Sequence, residues 1–342
     1  MAERLAVGLI GCGFFAQNHL HAWRGLAPEG VDLVAVCDID RGKAEAAALA
    51  FDVPNVFTDA AEMLSAVPLG LVDITTTMQT HRELAELAIG KRVPAIVQKP
   101  FAPTLAEARE ITEAAAEANT FLAVHENFRF QEPLIRLREI ADSGVIGEPN
   151  WARIGFRTGW DIYAGQPYLR NEERFVLLDL GVHVLDVARF LLGEVDHLSA
   201  ELQRRNPDVR GEDTATMLCR HKSGVVSVVE ATYDAKRVPD PFPEVLVELE
   251  GTKGSAILKP NYVIELTSNG ERSILDVEAP MLAWAERPWH VVQHSVLNTC
   301  RHMVEALRAG LPAATSAEDN LKTFALVEAA YESDRRARGE NE

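Results

Sequence analysis

The sequence predicts an α/β chain in two parts: a doubly wound N-terminal domain over residues 1–124, and an α+β domain over 125–342 with a mostly antiparallel sheet. Three observations carry this. Strand and helix patterns alternate up to Val124, hairpin signals take over beyond it, and 342 residues exceed what one ordinary core organises.

In the first part, short apolar runs stand at Leu5–Ile10, Val31–Cys37, Leu71–Thr75, Val93–Val97 and Phe121–Val124. Each is apolar on consecutive positions, as strands buried on both faces of a parallel sheet should be. Between them Phe15–Trp23, Arg41–Phe51, His81–Gly90 and Thr104–Asn119 read as helices. Thr104 stands three residues before Glu107, the spacing of a capping box. In the second part a helix at Glu132–Ser143 ends on Gly144. Thr214–Arg220 and Val225–Tyr233 flank one turn, Tyr262–Thr267 and Ser273–Val277 flank Asn269-Gly270, and Glu244–Glu250 alternates apolar and polar residues. Two closing helices, Ser295–Ala309 and Glu318–Arg338, complete the chain.

The first strand runs into Gly11-Cys12-Gly13-Phe14-Phe15-Ala16, and a helix follows. Gly11 permits a tight turn, Gly13 lets the backbone approach a pyrophosphate, and Ala16 still allows close helix–strand packing. The helix N-terminus then offers N–H groups to the anion. Asp38 at the end of the second strand is placed to accept both hydroxyls of a ribose, which favours NAD. Arg41 nearby leaves NADP open.

Two further features bear on chemistry. Leu177–Leu192 is apolar nearly all round, and its polar exceptions, Asp179, His183, Asp186 and Arg189, fall along one helical face. That stripe reads equally well as a general base with its carboxylate or as an internal ion pair, with Asp186 and Arg189 leaning toward pairing. Lys99, after the fifth strand in Gln98-Lys99-Pro100, stands where open α/β sheets bind ligands. There a lysine can steady a developing alkoxide, or simply be a surface lysine.

The bulk numbers exclude other classes. A net charge of −17 disfavours nucleic acid and anionic membranes, and no apolar run is long enough to span a bilayer. The apolar N-terminal stretch is broken by Glu3 and ends in the Gly-rich turn, so no secretory leader is expected. Cys12, Cys37, Cys219 and Cys300 lack metal-type spacing, which suits reduced thiols in the cytoplasm and no metal site.

The opening loop, Thr75-Thr76-Thr77 with His81, Gln98-Lys99-Pro100, Asn127-Phe128-Arg129, Ser143–Gly147, Leu178–Asp186 and Ala317–Asn320 occur in one order. In that order they resemble the glucose–fructose oxidoreductase / inositol dehydrogenase / rhizopine catabolism (Gfo/Idh/MocA) family over nearly the whole chain. The resemblance implies an open-faced second sheet, assembly as a homodimer or homotetramer, and catalysis by Lys99, Asp179 and His183. It implies cofactor contacts from Gly11, Gly13, Phe14, Phe15, Ala16, Asp38, Thr76, His81, Gln98, Lys99 and Asn127. One position departs: the family usually has Glu where this chain has Gln98, which removes a negative partner from beside Lys99. Four strings, Gln98–Ala102, His125–Phe130, Gly165–Tyr168 and Arg287–His290, resemble one sugar-dehydrogenase branch of the family.

The reaction implied is oxidation of the anomeric hydroxyl of an aldose to a lactone, with an inositol or other polyol as the nearest alternative substrate. Lys99, Asp179 and His183 would meet the substrate, with Arg157, Asp161 and Trp289 as hydroxyl-reading candidates beside Tyr163, Asn127 and His290. Two rivals use the same scaffold: a glycoside hydrolase with tightly held NAD in transient redox, and a cofactor-sensing regulator without turnover.

Overall fold

The fold is described from a computed structural model and covers residues 4–340, so Glu3 lies outside the described residues. The chain forms two compact units: residues up to Asn127 with Ser295–Lys322, and Phe128–His294 with the residues from Thr323 onward.

The first unit alternates as its sequence does. Its elements are β1 (Leu5–Ile10), α1 (Ala16–Gly25), β2 (Val31–Cys37), α2 (Arg41–Phe51), β3 (Asn55–Phe57), α3 (Ala60–Ala66), β4 (Leu71–Ile74), α4 (His81–Gly90), β5 (Ala95–Gln98), α5 (Leu105–Glu117) and β6 (Leu122–His125). The strands pair in parallel in the order β3-β2-β1-β4-β5-β6. That order reverses between β1 and β4, which opens a ligand-binding crevice at their carboxyl ends. β4, β5 and β6 are buried at every position, which explains their unbroken apolar runs. Thr104 caps α5, its Oγ1 accepting the Glu107 N–H at 3.2 Å and donating to Glu107 Oε1 at 3.0 Å.

Residues 295–322, read from the sequence as part of the second domain, pack with the first unit. Thr315 accounts for part of this: its hydroxyl donates to the Val124 carbonyl at 2.8 Å, and its own carbonyl accepts the Val124 N–H at 2.8 Å. Arg308 adds bonds to the carbonyls of Glu29 and Gly30. These partners lie far away in sequence, so no local pattern announces them.

The second unit contains α6 (Glu132–Asp142), β7 (Pro149–Arg157), α7 (Val182–Leu192), β8 (Val195–Gln203), β9 (Thr214–His221), β10 (Val226–Thr232), β11 (Leu246–Gly251), β12 (Gly254–Lys259), β13 (Val263–Ser268) and β14 (Glu271–Asp276). α8 (His290–Ala309) and α9 (Ala317–Ala337) close the chain. Eight strands form one sheet, in the order β14-β13-β12-β11-β7-β10-β9-β8. β7 and β10 are parallel and every other pair is antiparallel. α7 packs on β7 and β10, while β9 alternates buried and exposed positions, so one face of the sheet is covered and the other open. Asn269 and Gly270 both take positive φ, 50° and 83°, and close a two-residue hairpin between β13 and β14.

Candidate active site

In the first unit the candidate residues lie at the carboxyl ends of β1, β2, β4 and β5. Gly11 has φ 95°, and a Cβ there would fall 2.8 Å from Thr76 Cγ2 and 2.9 Å from the Thr75 carbonyl carbon. Only glycine fits. Thr75 closes the turn, its hydroxyl donating to the Gly11 carbonyl at 2.7 Å. A Cβ on Gly13 would meet no described atom within 4 Å, which is the open cradle a pyrophosphate needs. Phe15 at the N-cap of α1 has no side-chain oxygen and caps nothing; the N–H groups of Gln17 and Asn18 turn back to the carbonyls of Phe14 and Phe15 at 3.4 and 3.0 Å.

Asp38 is set by two backbone donors, the N–H of Cys12 at 2.7 Å and that of Asp40 at 2.9 Å, one on each carboxylate oxygen. Each oxygen keeps a lone pair for a ribose hydroxyl. Arg41, the residue that left NADP open, pairs instead with Glu45 on its own helix at 2.8 Å. The residues present therefore fit NAD. Burial pushes the Cys12 thiol up to about 12, with Asp38 adding to the shift, so it stays protonated beside the loop.

His81, Gln98 and Asn127 turn inward. His81 Nδ1 lies 3.0 Å from the Pro100 carbonyl and its Nε2 lies 3.2 Å from that of Thr76, so the ring ties the loop after β4 to the turn after β5. Burial holds this ring toward its neutral form against the pull of those carbonyls. Asn127 donates to Ser295 Oγ at 2.7 Å. Gln98 accepts the backbone N–H of Lys99 at 2.7 Å and meets His19 on its other side. Gln98 therefore addresses Lys99 through the main chain.

In the second unit the candidate residues lie on the segment leading into α7. Here the structure differs from a single α-helix: Leu177–Gly181 form a π-helical turn before α7 begins. A π turn inside an otherwise regular helix is a recurrent mark of functional sites. Glu212 holds its start, accepting the N–H groups of Phe175 at 3.1 Å and Leu177 at 3.2 Å and the Tyr331 hydroxyl at 2.6 Å.

The stripe divides along its length. Asp186 is wholly buried and accepts two bonds from Arg129 and one from Thr323, while Arg189 binds Thr323 and Glu194. That end is a closed ion-pair cluster. At the other end Asp179 is half-buried and accepts the Tyr233 hydroxyl at 2.6 Å. Burial first, and the Asp179 charge second, push the Tyr233 phenol well above its ordinary range, so it stays a donor. His183 is buried and stacks face to face on Phe128, centroids 3.8 Å apart.

From Phe128 an aromatic file continues through Phe156 to Phe242, which Trp160 stacks on at 4.9 Å and Trp289 meets edge-on at 4.8 Å. Trp289 is thus joined to His183 through aromatic contacts. Arg157 pairs with Glu230 at 3.1 Å, Asp161 is exposed at the start of a 3₁₀ turn, Tyr163 lies under Arg170, and His290 binds Glu278 at 2.8 Å. Tyr233, Phe242 and Trp160 were missed from the sequence. The only sequence signal for them is their aromatic character at strand ends and in loops.

Residues 5–126 match the pattern described as "Oxidoreductase family, NAD-binding Rossmann fold", and residues 134–257 match the GFO/IDH/MocA C-terminal domain. A D-apiose dehydrogenase of Rhizobium rhizogenes is 45% identical over 325 residues, covering 95% of this chain and 94% of its own. The chain belongs to the GFO/IDH/MocA oxidoreductase family. A D-apiose dehydrogenase of Paraburkholderia graminis is 46% identical over 98% of this chain and 89% of its own. Among solved structures, an oxidoreductase from Agrobacterium radiobacter in complex with NAD+, L-tartaric acid and magnesium superposes with a TM-score of 0.96 at 44% identity, covering 98% of this chain and 97% of its own. As a member of this family the chain is an NAD-dependent dehydrogenase, with its NAD-binding Rossmann fold over residues 5–126. No helix of the described residues is long and apolar enough to cross a membrane.

Proposed function

We propose that this protein oxidises the anomeric hydroxyl of D-apiose to D-apionolactone with NAD, using Lys99, Asp179 and His183. The observation that carries the chemistry is a half-buried carboxylate, Asp179 on the π turn, set four residues before the buried, stacked imidazole of His183 on α7. The substrate comes from the two D-apiose dehydrogenases that match over nearly the full chain.

NAD, which the Gly11–Ala16 loop and Asp38 would hold, would supply the hydride acceptor. His183 takes the hydroxyl proton of the sugar as general base, with its ring plane fixed against Phe128. Asp179, oriented by Tyr233, accepts from a neighbouring hydroxyl and favours the cationic imidazole that forms. Lys99 steadies the oxyanion as it develops. Trp160 and Trp289, at the outer end of the aromatic file, offer apolar surface to the C–H face of a small sugar. Asp38 selects NAD over NADP through repulsion of a 2′-phosphate. The enzyme works in the cytoplasm as a homodimer or homotetramer. Four buried, unbridged thiols support the first point and the family resemblance the second.

A panel of free aldoses and inositols with NAD, followed by NADH absorbance, tests the reading. D-apiose should give the highest kcat/KM, at least about tenfold above any inositol, a margin of about 1.4 kcal/mol. An inositol leading the panel would reassign the substrate. Glycoside cleavage without net NADH would replace the reaction itself.

A further inference from the structure

We propose that Gln98 is a positioning residue for Lys99 that must be a neutral amide, because it holds His19 as a neutral imidazole with its proton on Nδ1. The proposal rests on the reading of Lys99 given above. It starts from a donor that cannot change roles: the backbone N–H of Lys99 lies 2.7 Å from Gln98 Oε1. A main-chain N–H only donates, so the atom facing it must be the amide oxygen, and the orientation of the amide is fixed.

The amide nitrogen then lies 2.8 Å from His19 Nε2. An amide NH2 only donates, so Nε2 must be bare, and the ring's single proton sits on Nδ1. Nδ1 faces Asp73 Oδ2 at 2.7 Å, and the same oxygen accepts the Trp23 indole N–H at 2.7 Å. Donation thus runs one way, from the Lys99 main chain through Gln98 and His19 to Asp73. Gln98 is nearly buried, and His19 and Asp73 are wholly so. His19 otherwise faces His125 from β6 with ring centroids 4.1 Å apart, the Cys300 thiol from α8, and the edge of Phe15.

A glutamate at position 98 would accept at both ends. Its second oxygen would meet the bare Nε2, lone pair against lone pair, unless one more proton entered the network. That proton would sit on His19, leaving an imidazolium between Asp73 and the new carboxylate, or on the carboxyl itself. As pH rises and it leaves, the two acceptors repel and the turn carrying Lys99 moves. Glutamine at this position therefore spares the site a titration.

Nitrogen NMR of 15N-histidine-labelled protein, with His19→Gln assigning the signal, tests the tautomer. At neutral pH the wild type should show His19 with Nδ1 protonated and Nε2 bare. Gln98→Glu should protonate Nε2 or its partner at neutral pH, and its kcat should fall on the alkaline side of the profile where the wild type's does not. If Gln98→Glu does not fold, Gln98→Met serves: kcat should drop about tenfold to a hundredfold, with KM for NAD moved much less. A doubly protonated His19 in the wild type would overturn the proposal. So would wild-type kinetics in both variants. If Lys99→Met keeps full turnover, the catalytic reading fails and the positioning role with it, while the nitrogen spectrum still decides the tautomer.

Discussion

The two ends of the polar stripe on α7 share a sequence pattern and differ in how their polar atoms are satisfied. At the Asp186–Arg189 end, Arg129, Thr323 and Glu194 close every strong interaction inside the fold. At the Asp179–His183 end, Asp179 accepts a tyrosine hydroxyl and keeps part of its surface, and His183 stacks on an aromatic face. Periodicity places four residues on one face, and burial separates the two carboxylates: Asp186 is wholly buried and Asp179 only half so.

The largest effect on stability should come from the closed end. Asp186→Ala takes from buried Arg129 the carboxylate it pairs with, while Arg189 keeps Glu194, and should cost about 3–5 kcal/mol in urea unfolding. Turnover per folded molecule should change little. If stability is unmoved, the cluster is not closed.

Tyr233→Phe probes the open end more gently. It removes the donor to Asp179 while keeping the stack on Phe175. We expect kcat to fall about tenfold and stability by about 1 kcal/mol. A loss of stability without loss of kcat would make Tyr233 a core residue only.

Neither partner could be read from the sequence. Tyr233 is 54 residues from Asp179 and Thr323 is 137 from Asp186. The π turn was hidden as well, because the residues around Gly181 keep a helical apolar pattern whatever the local winding. Elsewhere legibility followed length and burial. Strands buried on both faces stood out as apolar runs, and Asn269-Gly270 announced its hairpin. β3 has only 3 residues and α3 only 7, too short for any period to show. β7 and β8 escaped because Asn150, Arg153, Asp196 and Glu201 interrupt them with residues of low strand preference. The loop, Lys99, Asp179 and His183 could be named as candidates because the patterns that single them out are local. The roles of Gln98, His81 and Asn127 were not, since each is defined by what its side chain meets inside the fold.

The smallest expected effect concerns pH and touches neither end of the stripe. Burial is the largest influence on both His81 and His221, and it favours the neutral ring. Each contributes stability that is present above the unfolded value of about 6.5 and is lost as pH falls through the lower folded value. The melting temperature should therefore decline below about pH 6.5, and His221→Gln should flatten that decline. An acid limb unchanged by the substitution would place its origin in other groups.

The central claim is that the open end of the stripe performs the proton transfer. His183→Asn, assayed for NADH formation from D-apiose and NAD beside its unfolding curve, tests it most directly. The account predicts kcat lower by about 10²- to 10⁴-fold with the unfolding midpoint close to that of the wild type. Turnover preserved in a folded His183→Asn protein would contradict it.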